Sequence, residues 1–138
     1  MLKIGKVLFQ ARMVSYNAGM KSNPISLQTI REQLQLDVFY GEDDQLGEQF
    51  VQVLVCDLMS DVLTVDHEDF LLITSLTSDQ VARTADIVGA VGVVLVNGKT
   101  PQPGLRTLAE DLEIPVMGTK LPCFEFSAAL GKLLEQHA

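Results

Sequence analysis

The chain has 138 residues, 47% of them hydrophobic, with 18 acidic and 10 basic side chains. That length buries one real core, the apolar share excludes a disordered chain, and no apolar run approaches the roughly 20 residues that span a bilayer. The net charge of −8 sets the average surface against nucleic-acid backbones and anionic headgroups, so neither a nucleic acid nor a membrane is expected as partner.

Lys3 and Lys6 precede a brief apolar stretch that Gln10, Arg12 and Asn17 interrupt, so no export signal is read. Cys56 and Cys123 are the two cysteines, with no CxxC and no His-rich segment; neither a disulfide framework nor a zinc site is expected, and a cytoplasmic location fits. Residues 1 to 23 read as an N-terminal extension, set off by the polar, Gly- and Pro-bearing run Asn17 to Pro24. Residues 24 to 138 read as the domain proper.

Ser26 is placed to cap a helix whose Leu27, Ile30 and Leu34 recur at helical spacing over about 27 to 35. Leu36 to Tyr40 reads as a short strand, and Gly41 to Gly47, with three acids and two glycines, as a solvated turn. Phe50 to Val55 is a strand, followed by a short helix that opens with Asp57. The unbroken apolar run Phe70 to Thr74 is the pattern of a strand buried on both faces. Ser78 can cap a helix to about Val88. A strand over Val91 to Val96, a helix over Pro103 to Leu112 with proline in its first turn, a strand over Ile114 to Met117 and a last helix from Cys123 to Gln136 complete the chain. This alternation predicts an α/β single domain with a mainly parallel β-sheet and flanking helices, its core in residues 70 to 136.

Parallel α/β sheets bind ligands beyond the carboxyl ends of their strands. The loops there carry Asp57, Ser60 and Asp61; Thr74, Ser75, Thr77 and Ser78; Asn97, Gly98, Lys99 and Thr100; and Gly118, Thr119 and Lys120. Gly98-Lys99-Thr100 is not a P-loop, because Val93 stands where that motif needs glycine. A strand-to-helix turn can still cradle a phosphate through backbone N–H groups, with Lys99 and Lys120 adding charge; the plainer reading is an ordinary βα turn with solubilising lysines. Asp57 and Asp61, four apart, could share a helix face and hold Mg²⁺ through water; an N-cap and a first-turn acid explain both without chemistry. His67, among acids, and terminal His137 give no support for a nucleophilic triad, and Cys123 reads as a small core residue.

Cys56-Asp57-Leu58-Met59-Ser60-Asp61-Val62-Leu63, then Leu72-Ile73-Thr74, Val94 to Pro101 and Gly118 to Pro122, in this order and spacing, resemble a stand-alone DRTGG domain over about Ser26 to Leu134. The resemblance implies a fold like the N-terminal domain of HPr kinase/phosphorylase, which also occurs as regulatory inserts of phosphotransacetylases and CBS-domain pyrophosphatases. It implies an adenine nucleotide as ligand, a homodimer, and no reaction. The Asp-Arg-Thr-Gly-Gly string itself is absent, and Asn97-Gly98-Lys99-Thr100 stands nearest to it. The expectation is a non-catalytic regulatory domain that binds an adenine nucleotide or similar anion at the strand-end edge, with no metal. The alternative is a protein-interaction adaptor, accessory to a hydrogenase or redox-sensing kinase system, docking through the N-terminal segment and the Phe124/Phe126 region.

Overall fold

The computed structural model describes residues 13–15, 24–66 and 68–137. His67 and the remainder of the N-terminal segment lie outside the described residues. The main sheet has six strands in the order β1 (Met13–Ser15), β5 (Gln52–Val55), β6 (Phe70–Thr74), β7 (Gly92–Leu95), β8 (Val116–Gly118), β3 (Asp37–Tyr40). The pairs β5–β6, β6–β7 and β7–β8 are parallel, and β1 and β3 close the two edges antiparallel. A separate two-stranded ribbon pairs β2 (Ile25–Ser26) with β4 (Gln49–Phe50).

Helices α3 (Met59–Val62), α4 (Gln80–Val88) and α5 (Pro103–Leu112) connect the parallel strands in succession. Crossovers of one hand that step one way across a sheet put their helices on one face. Accordingly Met59, Val62, Val81, Ala85, Leu105 and Ala109 pack with Leu54, Phe70, Leu72, Val93 and Leu95. The opposite face, through Leu71, Ile73, Val94 and Met117, is covered by α1 (Leu27–Leu34) and α6 (Cys123–His137), which bring Leu27, Ile30, Phe126, Leu130 and Leu134. Strand β6 alternates between the two layers while every one of its residues is buried, which explains its unbroken apolar run.

Local chemistry starts the helices largely where the sequence places them. The Ser26 hydroxyl accepts the Thr29 N–H at 3.1 Å, the expected N-cap of α1, and Pro103 occupies the first turn of α5. Four expectations are corrected. Helix α4 begins after Asp79, with the Ser78 carbonyl rather than its hydroxyl accepting from Val81 N–H. The segment after Gly41 is not only a turn: Asp43–Leu46 forms α2, whose Leu46 is buried and whose start is closed by the Gln45 side chain accepting the Glu42 N–H at 2.8 Å. The strand expected over Phe50 to Val55 divides at Val51, Phe50 joining the ribbon and Gln52 onward the sheet. The core reaches well before residue 70, since Ile25, Leu27, Ile30, Phe50, Val53 and Leu54 are all buried. Within the expected N-terminal extension, Met13–Ser15 pairs with β5 of the same chain.

Candidate functional site

The carboxyl ends of the four parallel strands are stitched to one another by their exit loops. At the β5–β6 end Asp57 turns its carboxylate across to the next strand. Its Oδ1 accepts the Thr74 hydroxyl at 2.8 Å and the Ser75 N–H at 2.7 Å, and its Oδ2 accepts the Ser75 hydroxyl at 2.8 Å. Asp57 is therefore not the cap of α3, whose N-cap position is Leu58; Asp61 does lie in the first turn of that helix. Ser60 is exposed on the same helix. Burial alone would raise the Asp57 pKa, but the Ser75 N–H, the Ser75 hydroxyl and the Thr74 hydroxyl outweigh it and hold the carboxyl below its ordinary value of 3.8.

Because the folded pKa lies below the unfolded one, the stabilisation from Asp57 is complete above pH 3.8 and is lost as pH falls through the folded value. Asp57→Ala is expected to lower the melting temperature at pH 7, and the gap to the parent should narrow on acidification below that point. Melting curves across pH check this; a gap independent of pH would mean that the charge contributes nothing.

Between β6 and β7, Gln102 N–H donates to the Thr77 carbonyl at 3.0 Å and Gln102 Nε2 to the Thr77 hydroxyl at 3.3 Å. Between β7 and β8, Asn97 N–H donates to the Leu121 carbonyl and Gly98 N–H to the Thr119 carbonyl, each at 2.9 Å, while Lys99 N–H closes the turn on Val96 O at 3.2 Å. Asn97 and Gly98 have φ of 63° and 68°, the paired left-handed residues that an Asn-Gly turn accommodates. The turn is thus an anchored one. These three amides are donated to carbonyls of the chain, so the cradle expected from them is not open to an anion.

The expected site residues divide into two kinds. Thr74 and Thr119 are buried, and their hydroxyls serve the loops: Thr74 holds Asp57, and Thr119 Oγ1 accepts the Leu121 N–H at 3.2 Å. Asn97, Gly98, Lys99, Thr100 and Lys120 are exposed, on loops that the bonds above fasten together. With neighbouring strands about 4.8 Å apart, the β5 end carrying Asp57 and the β8 end carrying Lys120 are separated by roughly 14 Å. The edge therefore has an acidic end and a basic end. Lys99 and Lys120 make no ion pair among the described residues, whereas Arg83 pairs with Asp79 at 2.9 Å and Arg106 lies 5.7 Å from the centre of the Phe39 ring.

Ser75 and Thr77, both expected at this edge, take roles that spacing does not give: Ser75 makes two of the three bonds to Asp57, and Thr77 is bridged by Gln102, a residue 25 positions away that the sequence reading does not single out. Phe124 and Phe126, taken together in the sequence, separate in the structure: Phe126 is fully buried and Phe124 is 79% exposed. Leu121, beside Lys120, is 41% exposed. A shallow cavity of about 390 Å³ elsewhere is lined by Asp44, Gly47, Glu48, Gln49 and Asp69. It lies near the start of β6 rather than its end, and its three carboxylates make it the wrong charge for an anion. Cys123 is half-buried and unpaired, its Sγ 4.0 Å from the Ser127 hydroxyl. Among the described residues no group of three His, Cys, Asp or Glu side chains is arranged to hold a metal ion, and no helix is long and apolar enough to cross a membrane.

No protein-family profile matches the chain, and no curated protein matches it. Among solved structures it is similar to the CBS and DRTGG domains of the regulatory region of Clostridium perfringens pyrophosphatase, determined in complex with its activator diadenosine tetraphosphate. The TM-score is 0.62 at 18% identity, over 75% of this chain and 45% of that one. The chain thus spans less than half of that regulatory region. The fold is therefore shown to be that of a single α/β domain with a mainly parallel sheet and flanking helices, similar to a structure containing a DRTGG domain, as the sequence motifs imply.

Proposed function

We propose that this protein is a non-catalytic, cytoplasmic regulatory module that binds an adenine nucleotide or a similar anionic small molecule at the carboxyl edge of its sheet, and that it works as a homodimer. The observation that carries this reading is the fastening of the β7 and β8 exit loops: Asn97 and Gly98 are bonded to Leu121 and Thr119. Lys99 and Lys120 consequently rise from one preorganised edge of a protein whose net charge is −8. Two lysines without ion-pair partners among the described residues, on such an edge, supply the charge for a phosphate chain. Side chains, not the turn amides, are the donors: Lys99, Lys120, Thr100 and the Asn97 amide. The fold-level likeness to a region complexed with diadenosine tetraphosphate supports a nucleotide as the chemistry.

Titration calorimetry with ATP tests this. Lys99→Ala is expected to weaken binding severalfold with an unchanged melting temperature, since Lys99 is exposed and its side chain makes no hydrogen bond or ion pair among the described residues. Identical affinities for parent and variant would remove Lys99 from the site, and no binding of any adenine nucleotide would remove the reading. The second reading, an adaptor, is favoured by the exposed Phe124. Recovery of one stable protein partner irrespective of added nucleotide would support it.

A further inference from the structure

The geometry points to Leu121 and Phe124 as the platform that receives the base, making the site selective for nucleotides over bare polyphosphates; this rests on the anion-binding reading just given. Among the described residues Phe124 is the most exposed large hydrophobic side chain, at 79%, with Leu121 at 41%. Leu121 follows Lys120 in the short segment that leaves β8, and Phe124 stands in the first turn of α6, which that segment enters. The Leu121 carbonyl is the group that receives the Asn97 N–H, so the apolar segment is fastened to the loop carrying Lys99. The following turn is fixed too, because Phe126 N–H donates to the Pro122 carbonyl at 3.0 Å and the buried Phe126 ring seats the helix.

An exposed aromatic ring four residues after Lys120 in the chain offers, with the lysines, the two halves of a nucleotide site: a face for a flat apolar base and charge for an anionic phosphate chain. Glu125, in the first turn of α6, adds one negative charge at the helix start, which disfavours a phosphate seated there and leaves the lysine loops as its place. The base then lies on the helix side and the phosphates on the turn side.

Calorimetry with ATP and with inorganic tripolyphosphate distinguishes the base from the phosphates. The parent is expected to bind ATP about tenfold more tightly than tripolyphosphate, the scale of one base stacked on an aromatic ring. Phe124→Ala should bring ATP down to the tripolyphosphate affinity while leaving the latter unchanged, and Phe124→Tyr should restore the preference. Equal binding of the two ligands by the parent, or a preference that survives Phe124→Ala, overturns the platform and leaves the anion site standing. An unchanged ATP affinity with an altered oligomeric state on Phe124→Ala also overturns it, by assigning the ring to a contact between copies of this chain. Binding of neither ligand overturns both proposals together.

Discussion

Phe126→Ala is expected to destabilise the domain by about 3–5 kcal/mol, whereas Phe124→Ala should change stability by no more than about 0.5 kcal/mol. The two rings stand on one helix, two residues apart, and two residues rotate a side chain by roughly 200°. Phe126 is fully buried with Leu130 and Leu134 against Ile30, Val94 and Met117, so its removal leaves a cavity between α6 and the sheet. Phe124 is 79% exposed and leaves none. Denaturant melts of the two variants measure the contrast. Similar losses would mean that Phe124 is covered in solution, as it would be in a dimer built on that face.

The second large effect is expected at Gly118→Ala, a loss of about 1–3 kcal/mol from overpacking. Gly118 ends β8 opposite Asp37, where the β3 register shifts between Val38 and Tyr40. That irregularity turns Phe39 over the glycine, so that a Cβ there would stand 2.5 Å from Phe39 Cε2 and 3.0 Å from its Cζ. The ring is half-buried, packed against the core beneath the helices, so admitting the Cβ requires it to shift out of that packing. The double variant Gly118→Ala/Phe39→Ala relieves the clash and should show clear non-additivity in unfolding free energy. Additive losses would place the cost in the backbone of β8 instead. Because Thr119 and Lys120 follow directly, the single variant is also expected to weaken ATP binding, read by the same calorimetry.

Much of the parallel core was legible from local pattern. Phe70 to Thr74 announced a strand buried on both faces, and Pro103 to Leu112 a helix with its proline where a missing N–H is harmless. Ser26 announced a cap that the structure confirms. The edges of the sheet were not legible. Asp37–Tyr40 lies beside Val116–Gly118, with most of the chain between them, and no local spacing encodes that antiparallel return. The division at Val51 has the same origin, since Phe50 finds Ile25 and Gln52 finds Phe70 in different sheets. The burial of Phe126 was readable in principle, because Phe126, Leu130 and Leu134 recur at helical spacing and Phe124 stands off that stripe.

At the candidate site the sequence by itself supplied the residue types at the strand ends, because an α/β alternation dictates which loops share an edge. Their roles were decided only by tertiary structure. Asp57 has a helix directly after it in the chain, yet its carboxylate is taken by Thr74 and Ser75, since two hydroxyls and an amide on the adjacent strand solvate a carboxylate better than one helix end does. The turn at Asn97 and Gly98 has the glycine, threonine and lysine of a phosphate loop, yet its amides belong to Leu121, Thr119 and Val96. Hydrogen-bond donors go to whichever acceptor the fold brings within 3 Å or so, and sequence spacing does not contain that distance.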